Sequence, residues 1–277
     1  MDLPNPVDGA DFASAGNPSP QTITALIITR NEGANIGRCL RSVAWADARI
    51  VVDSGSVDAT VDIASRLGAV VVHHNWEGYS LQRNFGASLV RSGWILVVDA
   101  DERVSPALRD EIKAFVGRAP ASMVAARIPR RDWMFGRFVA YGSWRNERHI
   151  RLYRQGKAVW IGEVHESLTI DGGVGELNSP LLHFSHLTIE KFIAKLNSYT
   201  DIEARTMKAA GQSVGLGRAA LGALRAFLGQ YVRLQGFRDG GHGFILAVYM
   251  ALYHFTTRAK LWALNNANTP PPDPEDA

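Results

Sequence analysis

Residues Trp94-Ile95-Leu96-Val97-Val98-Asp99-Ala100-Asp101 predict a short buried strand that ends on two carboxylates. The first five residues are apolar and mostly β-prone, as expected of a strand inside a sheet. Side chains at i and i+2 of an extended chain share a face, so Asp99 and Asp101 can converge on one hard cation. Such a cation could bridge the phosphates of a nucleotide-linked substrate. Taken alone, an Asp at the end of a strand is more often a turn former or a helix cap than a metal ligand.

The chain around this strand alternates β-rich runs with amphipathic helical segments. The predicted strands cover residues 25–29, 50–52, 69–73 and 94–98. The apolar positions that predict the intervening helix faces are Ile36, Leu40 and Val43; Val61, Ala64 and Leu67; and Leu81, Phe85 and Leu89. Ser105-Pro106 predicts the start of a fourth helix, with Leu108, Ile112 and Phe115 facing inward. This alternation predicts a nucleotide-binding type of α/β sandwich with a mostly parallel sheet.

The second half of the chain has a different pattern. Residues 123–183 are β-prone, aromatic and rich in arginine, and residues 187–264 are helical, with breaks near Gly215 and Gly240. We therefore expect a disordered leader over 1–22, an α/β domain over 23–186, a C-terminal helical region over 187–264 and a disordered tail over 265–277. The leader has no signal-peptide pattern, and the single cysteine, Cys39, falls on an apolar helix face, where it is expected to pack in the core.

Basic residues are concentrated in the helical region. The net charge is only +3, yet residues 205–238 hold six basic side chains and no acidic one. These residues are Arg205, Lys208, Arg218, Arg225, Arg233 and Arg238. Because they alternate with apolar residues, we expect this region to lie on an anionic membrane surface. The apolar run 244–255 is too short to span a bilayer. An ordinary helix face that packs beside the first domain is the alternative.

Polar loops follow each of the four predicted strands, at the edge where open α/β sheets bind ligands. They lack the G-x-G-x-x-G of dinucleotide-binding folds, and no G-x-x-x-x-G-K-[ST] motif is present, which argues against a P-loop enzyme. The run Asp99-Ala100-Asp101-Glu102 also lacks the glycine and spacing of an EF-hand.

Four ordered motifs in these loops resemble those of the family 2 inverting glycosyltransferases of GT-A fold, over residues 24–111. They are Leu26-Ile27-Ile28-Thr29-Arg30-Asn31-Glu32, Val51-Val52-Asp53-Ser54-Gly55-Ser56-Val57-Asp58-Ala59-Thr60, Gln82-Arg83-Asn84 and Val97-Val98-Asp99-Ala100-Asp101-Glu102.

The resemblance implies a nucleotide-sugar site made of Thr29, Asn31, Glu32, Asp53, Arg83, Asn84, Asp99 and Asp101. Glu32 and Asp53 would bind ribose and base, and Arg83 or Asn84 would lie near the diphosphate. Asp99 and Asp101 would orient the ribose and hold Mg or Mn. Asn31 is equally open to a turn role, and for Asp58 we prefer a helix cap.

A narrower resemblance, to the branch that contains bacterial lipopolysaccharide-core β-1,4-glucosyltransferases, covers three later motifs. They are Arg148-His149-Ile150-Arg151-Leu152-Tyr153-Arg154, Trp160-Ile161-Gly162-Glu163-Val164-His165-Glu166 and Gly236-Phe237-Arg238-Asp239-Gly240 with Gly243-Phe244.

Inverting transfer needs a carboxylate that takes the proton from the acceptor hydroxyl. Because the donor-side aspartates are committed, Glu166 is the first choice for this base and Glu163 the second, and an exposed ion pair is the alternative for either. His165 could be a third metal ligand, a phosphate contact or a structural histidine. Arg148 and Arg151 could contact phosphate or acceptor, or could pair with Glu147 or Glu163.

These observations predict a metal-dependent inverting glycosyltransferase that moves a hexose, first of all glucose from UDP-glucose, to a lipid-linked or lipopolysaccharide-core saccharide. We expect it in the cytoplasm, peripheral on the inner face of the bacterial cell membrane, with no nucleic acid partner. The alternatives are another acceptor (an undecaprenyl-linked sugar or a peptide), a sugar nucleotidyltransferase, and a glycan-binding protein without activity.

Overall fold

The computed structural model describes residues 21–145, 147–162, 167–186 and 188–266. These residues form two compact units. One unit holds the described residues up to Arg130 together with Arg148–His183, and the other holds Arg131–Glu147 together with the described residues from Phe184 onward. The domain boundaries proposed from sequence stay a prediction. The sequence pattern gave no sign that residues 131–147 group with the helices.

The first part of the chain alternates strands and helices, as predicted. In chain order its elements are β1 (Ile23–Thr29), α1 (Ile36–Ser42), β2 (Ala48–Asp53), α2 (Thr60–Arg66), β3 (Val70–His73), α3 (Tyr79–Ser88), β4 (Trp94–Val97), β5 (Glu102–Val104) and α4 (Pro106–Arg118). The four predicted strands are confirmed to within about two residues at each end. Gly68, with φ of +74°, follows α2, and the Ser105 hydroxyl accepts from the Leu108 N–H at 3.2 Å to cap α4.

The remaining elements begin with mixed strands and end with helices. They are β6 (Met123–Met134), β7 (Arg137–Phe138), β8 (Arg148–Arg154), β9 (Ala158–Ile161), β10 (Ser167–Ile170), β11 (Gly173–Glu176), β12 (Leu181–His186), α5 (Ile189–Ala209), α6 (Leu216–Leu228) and α7 (Gly241–Asn266). A π-helical turn at Gly229–Arg233 and a 3-10 turn at Gly236–Asp239 join the last two helices. The predicted helical region and its breaks are confirmed.

The main sheet has the strand order β3-β2-β1-β4-β8-β6-β12-β5. The first four strands are parallel, and β8 is antiparallel to both β4 and β6. Parallel strands end at the same edge, so the residues after β1 to β4 meet there. The predicted fold class, an α/β sandwich with a C-terminal helical region, is confirmed.

Buried side chains along the parallel strands alternate between two apolar clusters, one on each face of the sheet. Helices cover both faces for this reason. Ile27 and Leu96 pack in the cluster that includes residues of α1 and α4, and Leu26 and Val97 pack in the cluster on the other face. Cys39 is fully buried in the first of these clusters, as predicted.

The predicted inward face of α3 is wrong at Leu81, which is 51% exposed. The helix instead buries Gln82 and Arg83, which are 0% and 5% exposed. Both side chains find hydrogen-bonding partners among the loops at the edge of the sheet, and those partners offset the desolvation of two polar groups.

The second unit packs its helices around Met134, Val139, Phe192 and Leu246. Polar contacts join α5 to α7, among them the hydrogen bond from the Tyr253 hydroxyl to Glu203 at 2.6 Å. Among the described residues, none of the helices combines the length and the apolar character that crossing a bilayer requires.

Candidate functional site

The carboxyl ends of the parallel strands place several predicted site residues side by side. Strand register aligns Thr29 with Asp53, and Asp53 with His73. Thr29 is buried, and its hydroxyl has no hydrogen-bond partner among the described residues. A nucleotide contact by Thr29 stays a prediction.

Asn31 joins the first loop to the second. Its backbone is left-handed, with φ of +55°, a conformation in which Asn is favoured. Its N–H donates to the Ser56 hydroxyl, and its Oδ1 accepts from the Val57 N–H, both at 2.8 Å. Its neighbour Glu32 accepts from the Asn35 side chain at 2.8 Å. Asn31 therefore has the turn role considered from sequence, and a nucleotide contact by either residue stays a prediction.

Asp58 stabilises the start of α2. One of its carboxylate oxygens accepts from the Gly33 N–H and the other from the Thr60 N–H, each at 3.0 Å. Hydrogen bonds from the Thr60 hydroxyl and from Gly33 lower the pKa of Asp58. This geometry agrees with the preferred interpretation of Asp58 as a helix cap.

Asp53 organises the second loop. Its Oδ2 accepts from the N–H groups of Gly55 and Ser56 at 2.9 Å, and its Oδ1 accepts from the Ser56 hydroxyl. Asp53 is only 4% exposed. Recognition of ribose or base by Asp53 stays a prediction and would have to use its remaining lone pairs.

The polar side chains of α3 divide between two tasks. Gln82 Nε2 donates to the Ser54 hydroxyl at 2.6 Å and Gln82 Oε1 accepts from His74 Nδ1 at 2.7 Å, so this side chain holds the second and third loops together. Asn84 donates to the Trp160 carbonyl at 2.8 Å and accepts from the Trp160 N–H at 3.0 Å. Because the amide of Asn84 is committed to β9, Arg83 is the better candidate for a diphosphate contact.

Asp99 is the centre of a buried charge cluster. Its Oδ1 accepts from Arg83 at 2.9 Å, and its Oδ2 accepts from Arg151 at 2.8 Å. Arg151 also donates to Glu102 at 3.0 Å, and Glu102 accepts from the Asp99 N–H at 2.9 Å. The Arg83 guanidinium lies over the Trp160 ring, 4.7 Å from its centroid. The cluster thus fixes two guanidiniums and one carboxylate at the end of β4.

The cluster separates the pKa values of its carboxyls. Burial by itself would raise the pKa of Asp99, but the guanidiniums of Arg151 and Arg83 hold that pKa far below its ordinary value. Burial raises the pKa of Glu102, Arg151 opposes the rise and Asp99 adds to it. Asp99 is therefore firmly ionised at neutral pH, whereas burial favours the neutral form of Glu102 and Arg151 opposes that effect.

Asp101 lies next to this cluster, and no guanidinium of the described residues pairs with it. Its Oδ2 is 3.4 Å from Nε2 of His183, a residue of β12, and its side chain is 22% exposed. Register pairs His183 with Glu102. Sequence reasoning gave neither His183 nor Glu102 a role, because only the pairing of β5 with β12, strands far apart in the chain, brings the histidine to the carboxylates.

The expected partners of two arginines are corrected by the structure. Arg148 bonds Glu176 at 3.1 Å and the Leu177 carbonyl at 2.7 Å, in place of Glu147. Arg151 points to Asp99 and Glu102 and is only 7% exposed, because β8 pairs directly with β4. A contact between either arginine and acceptor stays a prediction. The predicted base residues Glu163 and Glu166, and the candidate ligand His165, lie outside the described residues.

The donor set for a metal is partial. Within the described ranges, no group of three His, Cys, Asp or Glu side chains is arranged to hold a metal ion. Mg²⁺ is commonly bound through one or two carboxylates together with substrate phosphates, so Asp101 and Asp99 fit that mode of binding. Asp101 fits better, since both oxygens of Asp99 already accept from guanidiniums.

Comparison with known proteins agrees with this arrangement. Residues 24–166 match the model of glycosyl transferase family 2. A lipopolysaccharide core biosynthesis glycosyltransferase of Rhizobium meliloti is 32% identical over 248 residues, which cover 87% of this chain and 92% of that protein. A glycosyltransferase of Rickettsia bellii is 33% identical over 260 residues, 88% of this chain and 87% of that protein.

A more distant likeness links the chain to glucosyl-3-phosphoglycerate synthase from Mycobacterium tuberculosis, whose crystal structure holds Mn²⁺, UDP-glucose and phosphoglyceric acid. The sequence identity is 19% and the TM-score 0.34, over 42% of this chain and 44% of that one. The overlap is less than half of either chain and transfers no ligand. The residues that match the family model include all four loops at the sheet edge and the charge cluster around Asp99. From this match and the 32% identity to the Rhizobium meliloti protein, the chain belongs to glycosyltransferase family 2.

Proposed function

We propose that this chain is a metal-dependent inverting glycosyltransferase that transfers a hexose, first of all glucose from UDP-glucose, to a lipid-linked saccharide of the lipopolysaccharide-core type. The family supports glycosyl transfer, and the name of the Rhizobium meliloti relative supports the acceptor class. The observation that carries the proposal is the cluster at the end of β4, where Asp99 lies between two guanidiniums with Asp101 beside it.

The residues of the sheet edge supply the groups that a nucleoside diphosphate needs. Asp99 keeps lone pairs beyond those used by the guanidiniums, and its side chain is 27% exposed, so it can accept from ribose hydroxyls. Arg83 is held by Asp99 and Trp160, so it presents a fixed cation to the diphosphate.

Asp101 is the protein ligand that we assign to the metal, with Mg or Mn as the ion. Hard cations of this kind prefer carboxylate oxygens. When bound, the ion would neutralise charge on the leaving diphosphate. His183 keeps the Asp101 carboxylate in place through its 3.4 Å contact.

A panel of nucleotide sugars tests the donor assignment. UDP-glucose, UDP-galactose and GDP-mannose are each titrated with Mn²⁺ and again with EDTA, by calorimetry. We expect UDP-glucose to bind most tightly and EDTA to weaken its binding. Failure of every nucleotide sugar to bind would contradict the proposal and favour a protein without activity. Formation of a nucleotide sugar from a sugar phosphate and UTP would favour the nucleotidyltransferase alternative.

Glu166 remains our choice for the base that deprotonates the acceptor, with Glu163 second; both choices rest on the sequence. Glu166→Gln is expected to keep UDP-glucose affinity and to slow transfer to acceptor at least about 100-fold, because a general base contributes at least that much. Glu163→Gln is the matched control and should transfer at close to the wild-type rate. The reverse pattern of rates would show that the assignment between the two is wrong.

We also propose that the helical region holds the enzyme on an anionic membrane. One exposed face of α6 and the following turn carries Leu221, Leu224, Leu228 and Val232, each between 46% and 56% exposed. Their spacing of three or four residues forms a continuous apolar stripe. Three exposed arginines accompany the stripe: Arg218, Arg225 and Arg233. An apolar stripe with cations and no acidic residue matches a helix that lies in the plane of an anionic bilayer surface.

Removal of these three arginines is expected to release the protein from vesicles. Each cation near an anionic surface contributes on the order of 1 kcal/mol at modest salt, so Arg218→Gln, Arg225→Gln and Arg233→Gln together should move most of the protein to the supernatant. The measurement is co-sedimentation with phosphatidylglycerol-containing vesicles. The matched control removes three arginines of α2 and α4: Arg66, Arg109 and Arg118. Equal sedimentation of both variants would contradict a membrane role for α6.

A further inference from the structure

Two exposed guanidiniums in the second unit lie against one tyrosine ring. The Cζ atom of Arg145 is 5.1 Å from the ring centroid of Tyr141, and that of Arg238 is 4.7 Å away. Both arginines donate to the same oxygen, Oε1 of Gln235, at 3.4 and 3.2 Å. No carboxylate among the described residues pairs with either guanidinium. Two like charges are therefore brought together without a counterion from the described part of the chain, an arrangement that favours binding of an anion.

The loop that carries Tyr141 and Arg145 is fixed from below by buried polar side chains. Asp239, 2% exposed, accepts from the N–H groups of Ala140 and Tyr141 at 3.0 and 2.8 Å. Gln230, 4% exposed, accepts from the Ser143 N–H at 2.9 Å. Buried polar groups are destabilising unless they are bonded, and these two use their bonds to hold an exposed loop. The loop is thus preorganised, which is how a binding site reduces the entropic cost of binding.

The same contacts explain most of the motif Gly236-Phe237-Arg238-Asp239-Gly240. Gly243 passes so close to the Gly236 carbonyl that a Cβ on Gly243 would lie 1.7 Å from the oxygen, so a side chain cannot fit there. Asp239 holds the Tyr141 loop, as described. Arg238 is exposed, and its side-chain contacts within the described part of the chain are those to Tyr141 and Gln235.

We propose that Arg145, Arg238 and Tyr141 form a binding site for a phosphate monoester. A guanidinium fork matches phosphate oxygens in two-bond geometry, and the Tyr141 hydroxyl is a further donor on the ring that both guanidiniums contact. Two guanidinium charges match a phosphate monoester, which carries about −1.5 to −2 at pH 7. If the proposed function holds, the phosphate is a substituent of the saccharide acceptor; that use rests on the proposed function, whereas phosphate binding does not.

Calorimetric titration with inorganic phosphate at constant ionic strength tests the site. The double variant Arg145→Gln/Arg238→Gln is expected to bind phosphate at least about tenfold more weakly than wild type, since two hydrogen bonds to a charged group are lost. Arg66→Gln/Arg118→Gln removes the same charge from α2 and α4 and should bind like wild type. Arg145→Lys/Arg238→Lys keeps the charge without the fork and should fall between the two.

The titration is repeated with UDP present, because phosphate that UDP displaces belongs to the proposed nucleotide site. A component that UDP leaves unchanged and that the double variant loses supports the site proposed here, even if UDP itself fails to bind. Vesicles of phosphatidic acid and phosphatidylcholine distinguish the sources, because the phosphatidic acid headgroup is itself a phosphate monoester. Loss of both phosphate and vesicle binding by the double variant assigns the site to lipid headgroups, and loss of phosphate binding alone assigns it to a saccharide phosphate. Phosphate affinity equal to wild type in the double variant, or no phosphate binding by wild type, would overturn the proposal.

Discussion

Arg151→Met is expected to lower the free energy of unfolding by about 3–5 kcal/mol, the range for a buried ion pair that loses one partner. Arg151 donates to Asp99 at 2.8 Å and to Glu102 at 3.0 Å, and Glu102 is completely buried. Without the guanidinium, Glu102 would be an uncompensated buried charge beside Asp99. Urea denaturation of both proteins at pH 7, followed by circular dichroism, measures the difference.

The loss should also depend on pH. The pKa of Glu102 is already raised in the folded protein, and removal of Arg151 raises it further. Such a carboxyl has a higher pKa in the folded protein than in the unfolded chain. It does not destabilise the folded protein while it is protonated, and it becomes destabilising as pH rises through the folded pKa. The decrease in the free energy of unfolding caused by Arg151→Met should therefore be smaller at pH 5 than at pH 7.

Arg148→Met is the matched control, on the same strand. Its salt bridge to Glu176 is between half-exposed side chains, and such pairs contribute about 0–1 kcal/mol. A deficit for Arg151→Met no larger than that of Arg148→Met, or one that does not change with pH, would contradict a structural role for the buried cluster.

The four parallel strands of the main sheet could be predicted because each is a run of apolar residues bounded by polar loops. Their burial between two helical layers makes local pattern and fold agree. The cap at Ser105 and the end of α2 at Gly68 were predictable for the same reason, since each depends on neighbouring residues alone.

The sequence analysis was wrong or silent about polar residues that are buried by partners distant in sequence. The helix α3 turns Gln82 and Arg83 inward and leaves Leu81 exposed, and an apolar periodicity cannot reveal this. Arg151 reaches Asp99 only because β8 pairs with β4, and His183 reaches Asp101 only because β12 pairs with β5. Sequence motifs thus located the carboxylates, but the charges that act on them depend on strand pairing.

The different partners of Asp99 and Asp101 lead to opposite expectations for their replacement. Asp99 is bonded to two guanidiniums, so replacing it should disturb Arg83 and Arg151 and reduce stability. The Asp101 carboxylate is partly exposed and lies 3.4 Å from His183, so Asp101→Asn should change stability by less than about 1 kcal/mol. A loss of function in Asp101→Asn would therefore not be a folding defect.

Asp101→Asn is expected to lower the affinity for Mn²⁺ in the presence of UDP by at least about 100-fold, since residues that merely orient a metal ligand are worth about 10- to 100-fold. The amide keeps the shape of the side chain and loses the charge that a hard cation prefers. Calorimetric titration of UDP with Mn²⁺ and with EDTA measures this. EDTA should lower the affinity of the wild-type protein for UDP. The variant should bind UDP equally weakly with Mn²⁺ and with EDTA. Asp110→Asn, an exposed aspartate of α4, is the control and should behave as wild type. If Asp101→Asn keeps the full response to EDTA, the metal ligand lies elsewhere and the assignment of Asp101 is wrong.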